Sequence, residues 1–257
     1  MEQIMECIPN FSEGRDLEKV EKIAGAFRAK EDVKLLDYST DKDHNRCVIT
    51  AVGSPEALRN AVIEAVGLAV SLIDLTKHDG QHPRMGAADV VPFVPVRGCT
   101  LEDADRIAKE TAAAVADRYA LPVFLYEKSA SAPHRENLAA IRKGQFEGML
   151  EKVQLPEREP DFGGRAIHPT AGVVAVGCRA PLVAFNINLS TSDVSIASAI
   201  AKIIRRSSGG LECVKALGIM LEERNIAQVS INMTDYTRMP LYRVLELVKA
   251  EARRYGV

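Results

Sequence analysis

Residues 33–52 decide the fold of this chain, and they read VKLLDYSTDKDHNRCVITAV. Apolar and β-branched side chains recur at 33–38 and again at 46–52, while polar residues fill 39–45. This pattern is typical of two β-strands joined by a polar loop. What flanks the two strands then determines which kind of sheet they belong to.

A helix is predicted on each side of this strand pair. Asp16 opens the first helix, whose apolar residues recur at the spacing that forms one buried face. Ser54 and Pro55 open the second, with a hydroxyl at the N-cap and a proline at the first helical position. A later helix begins at a capping box formed by Thr100 and Asp103.

Three more strands complete the first half of the chain, and they are predicted at 3–8, 90–96 and 121–126. Pro92 and Pro95 favour an edge position, or an early end, for the strand at 90–96, because proline donates no ladder hydrogen bond. The order is strand, helix, strand, strand, helix, strand, which is the split βαβ or ferredoxin-like arrangement. The helix after Thr100 and the strand after it extend this unit.

The same order begins again near residue 181 and stops after a helix, so the last strand of a second unit is missing. We therefore predict an α+β protein of two ferredoxin-like βαββαβ subdomains with helices packed on the sheets. The predicted subdomains are 1–178 and 179–257, the second truncated before its last strand. Residues 154–170, which contain several prolines and glycines, are predicted to form a linker or an active-site loop.

Composition excludes several classes of function. The formal net charge is −2 and only 5% of residues are aromatic, without tryptophan, which argues against a nucleic-acid partner. No apolar run approaches the ~20 residues that span a bilayer, and the first residues lack the pattern of a secretory leader. The five scattered cysteines include no CxxC pair, so neither a disulfide framework nor a zinc site is expected. We expect a cytoplasmic protein without a membrane partner.

The segment 78–89, HDGQHPRMGAAD, is the most unusual stretch of the chain. It is polar, contains two histidines, two acids and an arginine, and lies between a predicted helix and a predicted strand. A histidine with a pKa near its free value of ~6.5 can both accept and donate protons at neutral pH. A solvated loop is the alternative interpretation. A metal site at His78 and His82 is disfavoured, because Gly80 and Pro83 interrupt the helix that would align them.

Three other polar segments are candidates for binding. Residues 41–46, DKDHNR, have the composition of a turn, and residues 9–15, PNFSEGR, directly follow the first predicted strand. The third begins at Gly177 and continues into the strand that contains Asn186 and Asn188. Two asparagines in an apolar strand indicate a polar ligand, a hydrogen-bonded inner face, or a solvated strand face.

Together these segments resemble the glutamate formiminotransferase family. The resemblance rests on four motifs: ECIPNFSEGR at 6–15, DHNR at 43–46, HPRMGAAD at 82–89 with PFVP at 92–95, and AFNINL at 184–189. They occur in the family's order and at family-like spacing across nearly the whole chain.

The resemblance implies transfer of the formimino group of N-formiminoglutamate to N5 of tetrahydrofolate, a step of histidine degradation and one-carbon metabolism. It implies a homodimer, no metal, and two α/β subdomains with folate in a cleft between them. The implied catalytic residue is His82. The implied folate-binding residues are Gly177, Cys178, Arg179, Ala180, Pro181, Leu182, Val183, Ala184, Phe185 and Asn186.

Further candidates for substrate binding are Asn10, Arg46 and Arg84. The two arginines suit the carboxylates of the glutamate donor, because a guanidinium fork matches a carboxylate. One departure from the family concerns Ser39, where the animal enzymes carry an aspartate. If that carboxylate takes part in the reaction, Asp37 or Asp41 must supply it here.

Other functions are compatible with the same residues. A glutamate formyltransferase would use a donor that differs only by oxygen in place of NH on one carbon. A non-catalytic folate-binding module is suggested by the short second half, and a metal hydrolase would require activity that a chelator abolishes.

Overall fold

A computed structural model describes residues 3–221 and 224–257. The chain divides into two compact units, Met1–Arg179 and Ala180–Val257. Each unit has its own sheet and its own hydrophobic core. The α+β class with helices packed on two sheets is therefore confirmed.

The first unit contains one large sheet. Its strands are β1 (Ile4–Cys7), β2 (Asn10–Phe11), β3 (Val33–Asp41), β4 (Arg46–Gly53), β5 (Ala88–Arg97), β6 (Val123–Glu127) and β7 (Val174–Cys178). Its helices are α1 (Leu17–Gly25), α2 (Pro55–Leu72), α3 (Leu101–Tyr119), α4 (Leu138–Arg142) and α5 (Gln145–Lys152).

The ferredoxin-like order predicted for the first half is present. Strands β1 and β2 are two parts of one interrupted strand, and both lie between β4 and β5. With β3 on the far side of β4, these strands are antiparallel throughout. Strands β7 and β6 extend the sheet beyond β5 by parallel pairing.

The sheet of the first unit is covered unequally on its two faces. Alternate residues of β4, namely Cys47, Ile49 and Ala51, are fully buried in a core shared with α1, α2 and α3. On the opposite face, α4 and α5 bury Ile141 and Met149 against β5, β6 and β7. Arg46 and Val48 of β4 also point to that opposite face, but they are only partly buried. The β3–β4 end of this face is therefore open for binding.

The predicted edge position of the strand at 90–96 is wrong. Strand β5 is internal, with β1 and β2 on one side and β7 on the other. The prolines of β5 are tolerated because the neighbouring strands do not pair with it along its whole length. Strand β7 ends opposite Phe93, so Pro95 lies beyond the end of β7. The carbonyl of Pro92 accepts the N–H of Ile8, in the gap between β1 and β2.

Residues 154–170 do not form a linker between the units. Within this segment the carboxylate of Asp161 accepts the N–H of Leu125 in β6 and forms an ion pair with Arg135. The segment therefore packs within the first unit, before β7. The sequence pattern also did not predict α4, α5 or β7.

The second unit contains β8 (Val183–Ala184), β9 (Ile187–Asn188), α6 (Val194–Ile204), β10 (Val214–Leu221), β11 (Ile226–Met233) and α7 (Leu241–Arg253). Strand β11 is central, with β10 on one side and both β8 and β9 on the other, all antiparallel. Helices α6 and α7 bury one face of this sheet. Among the described residues no strand follows α7, as the pattern predicted.

Candidate functional site

The candidate site lies on the open face of the first sheet, at the end of the β3–β4 hairpin. A cavity of about 330 Å³ occupies this position. Its lining residues come from β3, the hairpin turn, β4 and the loop before β5: Ser39, Thr40, Asp41, His44, Arg46, Val48 and His82. The sequence segments 41–46 and 78–89, which are far apart in the chain, therefore contribute to one cavity.

Asn45 holds these segments together. Its side-chain oxygen accepts the N–H of Gly14 at 2.9 Å, and its side-chain nitrogen donates to the carbonyl of Asp79 at 2.9 Å. The residue is buried and has a φ of 48°, a left-handed conformation that asparagine tolerates better than most residues. A turn residue thus links the loop after β2 to the loop that carries His82.

The His82 loop approaches the hairpin turn closely at Gly80. A Cβ atom on Gly80 would lie 2.5 Å from the carbonyl oxygen of His44, too close for any other residue without a shift of backbone. One residue further on, the N–H of Gln81 donates to the carbonyl of Asp43 at 3.1 Å. These contacts set the position of His82 beside the turn.

His82 is half-buried and lies in a positively charged environment. Burial, followed by the positive charges of Arg46 and Arg142 and by His44, lowers its pKa from 6.5 to about 4. The imidazole is therefore neutral at pH 7 and has a nitrogen lone pair available. A neutral imidazole in a cavity is suited to accept a proton from a substrate.

A second imidazole lines the same cavity. The rings of His44 and His82 have centroids 6.1 Å apart and an interplanar angle of 65°. The Nδ1 atom of His44 donates to Asp41 Oδ2 at 2.7 Å, and the backbone N–H of His44 donates to Asp41 Oδ1 at 2.8 Å. These two bonds, the backbone one first, lower the pKa of Asp41, so its carboxylate remains ionised.

Arg46 presents a partly buried guanidinium to the cavity. Burial, together with the positive charge of Arg142, lowers its pKa, but an arginine remains charged at neutral pH. No carboxylate of residues 3–221 or 224–257 forms an ion pair with it. An incoming carboxylate would relieve the repulsion between the two arginines.

Arg142 reaches this region from α4, and Asp89 of β5 holds it there. One terminal nitrogen of Arg142 donates to Asp89 Oδ2, and Asp89 Oδ1 accepts the N–H of Met85 at 2.8 Å. The Nε atom of Arg142 is buried and has no hydrogen-bond partner among the described residues. The pair therefore fixes a second cation near His82.

Arg84 does not line the cavity. Its guanidinium is buried, and its terminal nitrogens donate to both oxygens of Glu147, one of them at 2.8 Å. Its Nε donates to His78 Nδ1 at 3.2 Å, while His78 Nε2 lies 3.0 Å from the carbonyl of Asn45. Arg84 could bind the donor only if the pair with Glu147 opened, and both nitrogens of His78 are already engaged.

Asn10 also lies away from the cavity lining. It sits in β2 opposite Val48, one of the lining residues, and its side-chain amide donates to the carbonyl of Ile8 at 2.8 Å. Directly opposed residues of antiparallel strands project from the same face, so Asn10 shares the open face of the sheet.

The segment 177–186 crosses from one unit to the other. Gly177 and Cys178 are buried at the end of β7, where the N–H of Cys178 donates to Ser129 Oγ at 3.0 Å. In the second unit, Asn186 Oδ1 accepts both Ser230 Oγ and the N–H of Ile231 at 3.1 Å. This side chain replaces a backbone carbonyl and divides the predicted strand into β8 and β9. Asn188 Oδ1 accepts the side-chain amide of Gln228 at 2.7 Å, and both asparagines are exposed, so they lie on a solvated strand face on which their side chains are hydrogen-bonded.

His44 was predicted only as part of the candidate binding segment 41–46, without a role of its own, and Arg142 was not among the predicted site residues. The Asp-x-x-His spacing at 41–44 was a usable signal, because a turn brings residues three apart together. Arg142 had no such signal, since it lies 53 residues from its partner Asp89 and in a helix that was not predicted.

Comparison with known proteins identifies the family. The sequence profile described as "Formiminotransferase domain, N-terminal subdomain" matches residues 4–179, and that described as "Formiminotransferase domain" matches residues 184–257. The chain belongs to the formiminotransferase family. The family prediction made from the motifs is thereby confirmed.

Two relatives in this family are both named "Glutamate formimidoyltransferase". One, from Streptococcus pyogenes serotype M1, is 52% identical over 100% of this chain and 86% of its own length. The other, from Thermoplasma acidophilum, is 42% identical over 99% of this chain and 84% of its own. The names of these relatives agree with the predicted transfer of a formimino group.

Longer relatives contain the same region as part of a larger chain. The "Formimidoyltransferase-cyclodeaminase" of Mus musculus is 40% identical over 100% of this chain, which spans 48% of that protein. Among solved structures, the periplasmic protease PqqL from Escherichia coli aligns with a TM-score of only 0.23 at 11% identity, over 99% of this chain and 34% of PqqL. That likeness is too low to support any argument.

A membrane-spanning helix and a cluster of metal-binding side chains are both absent from the part of the chain that the structure describes. No helix there is long and apolar enough to cross a bilayer. Within the same residues, no group of three or more histidine, cysteine, aspartate or glutamate side chains is arranged to hold a metal ion.

Proposed function

We propose that this protein transfers the formimino group of N-formimino-L-glutamate to N5 of tetrahydrofolate, giving 5-formiminotetrahydrofolate and L-glutamate. The observation that carries the proposal is the cavity at the end of the β3–β4 hairpin, in a chain of the formiminotransferase family. There a neutral imidazole, His82, lies beside a guanidinium without a carboxylate partner, Arg46.

His82 supplies the base of the reaction. N5 attacks the amidine carbon of the donor, and the tetrahedral intermediate then expels glutamate through its nitrogen. The attacking N5 must lose its proton during this exchange, and a neutral imidazole can accept it at pH 7. A positioned acid–base residue typically contributes about 10²–10⁴-fold to the rate.

Arg46 and Arg142 supply the positive charge that an anionic donor requires. N-formiminoglutamate carries two carboxylates, and the guanidinium of Arg46 can bind one of them with two parallel hydrogen bonds. Arg142 is paired with Asp89, so it contributes positive charge rather than a guanidinium that is free to bind a substrate carboxylate. We retain Arg46 as the donor-binding residue, while Arg84 would first have to leave Glu147.

The binding of tetrahydrofolate is assigned to residues 177–186, from the resemblance to the family. The exposed residues of this segment, Pro181, Leu182, Ala184 and Asn186, offer an apolar and hydrogen-bonding surface. Asn10 remains a candidate on the open face of the first sheet. A homodimer in the cytoplasm, without nucleic acid, membrane or metal, completes the proposal.

A donor comparison tests this function. The purified protein is mixed with tetrahydrofolate and either N-formiminoglutamate or N-formylglutamate, and the folate product is identified by its absorbance and mass. We expect 5-formiminotetrahydrofolate from the first donor at a kcat/KM well above that for the second. A preference for the formyl donor would identify a formyltransferase, and folate binding without turnover of either donor would identify a non-catalytic module.

A further inference from the structure

The reaction proposed above requires two proton transfers at two different nitrogens. A bond forms between N5 and the amidine carbon, and the bond from that carbon to the glutamate nitrogen breaks. The electron pair of the broken bond moves to the glutamate nitrogen, which must gain a proton because an amide-like anion is a very poor leaving group. N5 must lose a proton in the same exchange, so the reaction uses one acceptor and one donor.

The cavity contains two imidazoles in different environments. His82 has the positive charges of Arg46 and Arg142 nearby, and no carboxylate of the described residues pairs with it. His44 instead has the carboxylate of Asp41 on its Nδ1 atom at 2.7 Å. One ring is therefore surrounded by cations, and the other has a carboxylate as its direct hydrogen-bond partner.

Asp41 orients the ring of His44. The backbone N–H of His44 donates to Asp41 Oδ1 and fixes the carboxylate, whose Oδ2 then holds the ring at Nδ1. Nε2 is then the nitrogen left for a substrate. An aspartate that fixes the tautomer and orientation of a histidine in this way is a recurring arrangement in hydrolytic enzymes.

The two rings are close enough to serve one reacting carbon and too far apart to bond to each other. Their centroids are 6.1 Å apart, and the rings are inclined at 65° rather than stacked. His44 and Asp41 are each about half exposed, at 48% and 52% of their side-chain surface. Solvent can therefore return a proton to His44 after each turnover.

From this arrangement we propose that His44 is a second catalytic residue, which donates a proton from Nε2 to the leaving glutamate nitrogen, with Asp41 as its positioning residue. This proposal rests on the function proposed above. His82 accepts the N5 proton and His44 releases one, so the enzyme ends each turnover with the same number of protons. The exchange of one proton with solvent at each ring restores the starting state.

The charged groups around the two imidazoles come from several elements. Asp41 lies at the end of β3, Arg46 at the start of β4, His82 in the loop before β5, and Arg142 in α4. Asp43, next to His44 in the turn, makes no side-chain ion pair with a described residue. It provides a matched control, since Asp43→Asn removes the same charge as Asp41→Asn without touching the His44 ring.

The test compares kcat and its pH dependence in His44→Gln, Asp41→Asn and Asp43→Asn, after wild-type turnover of N-formiminoglutamate is established. We expect His44→Gln to lower kcat by about 10²-fold or more, with KM for both substrates little changed. A proton donor at His44 predicts a fall of kcat at alkaline pH in the wild type, and this fall should be absent from His44→Gln. Added imidazole should restore part of the activity of His44→Ala.

Asp41 has a distinct expected behaviour because it acts through His44. Asp41→Asn should lower kcat by less than His44→Gln does, and Asp41→Glu should retain more activity than Asp41→Asn. Asp43→Asn should match the wild type. Circular dichroism and thermal melting establish that each variant is folded.

The outcomes separate the two proposals. An active wild type with His44→Gln within threefold of it would overturn the role of His44 and leave the proposed function intact. A wild type that transfers no formimino group would overturn the proposed function, and the role of His44 with it.

Discussion

The positive charge of Arg46 should measurably hold down the pKa of His82, and Arg46→Gln tests this in the free protein. The pKa of His82 is lowered from 6.5 to about 4, with burial as the largest cause and Arg46 second. Arg46 is the second of several causes, so its removal should reverse only part of the lowering. We expect the titration midpoint in Arg46→Gln to rise above the wild-type value of about 4 and to remain below the free value of ~6.5, because burial and Arg142 still lower it.

This change has a direct consequence for the population of the base. At pH 5.5 an imidazole with a pKa of about 4 is neutral in about 97% of molecules, whereas one with a pKa of 6.5 is neutral in about 9%. Loss of the cation therefore matters most below pH 6.

The assay is a proton NMR titration of the imidazole signals between pH 3.5 and 8 without substrates. The His82 signal is assigned by its absence from His82→Gln. Arg97→Gln serves as the control, because Arg97 is exposed at the end of β5 and does not line the cavity. A wild-type midpoint near 6.5, or an unchanged midpoint in Arg46→Gln, would refute the electrostatic argument.

Three further predictions concern stability and are checked by chemical denaturation. Asn45→Ala should lower the free energy of unfolding by about 1–3 kcal/mol, because the buried N–H of Gly14 and the carbonyl of Asp79 lose their hydrogen-bond partner. A loss below about 0.5 kcal/mol would contradict the role of Asn45. Asp89→Asn should lower the free energy of unfolding by about 3–5 kcal/mol, because the mostly buried guanidinium of Arg142 loses its carboxylate partner. An unchanged free energy of unfolding would mean that water takes the place of the carboxylate. As the pH is lowered from 6.5 to about 4, the free energy of unfolding of the wild type should fall more steeply than that of His82→Gln. The reason is that the unfolded chain binds a proton at His82 in this pH range and the folded chain does not. Parallel pH profiles of the two proteins would contradict the lowered pKa of His82.

Local signals in the sequence predicted much of the architecture. The polar run between two apolar segments became the β3–β4 hairpin, and Asp16 caps α1 by accepting the N–H groups of Glu18 at 3.2 Å and Lys19 at 3.3 Å. The capping box at Thr100 and Asp103 is present at the start of α3. Each of these features depends on residues a few positions apart, so short-range chemistry is sufficient to predict it.

Long-range features were less predictable. Pro92 and Pro95 suggested an edge strand, but whether a proline is tolerated depends on where the neighbouring strands are interrupted or end, which the local pattern does not contain. The pairing of Arg84 with Glu147 spans 63 residues and involves α5, for which the sequence offered no signal. The same limit applies to the site. The composition of residues 78–89 singled out that segment and the family resemblance selected His82 within it, but nothing local predicted the cation that approaches His82 from α4.

The rate of formimino transfer with His82 removed is the measurement closest to the central claim, that a neutral imidazole in this cavity accepts the N5 proton. Wild type and His82→Ala are compared at saturating N-formiminoglutamate and tetrahydrofolate, with His134→Ala as a control histidine that bonds to the carbonyl of Glu157 away from the cavity. We predict that His82→Ala binds tetrahydrofolate with unchanged affinity and turns over at least about a hundredfold more slowly. Turnover equal to that of the wild type would remove His82 from the mechanism.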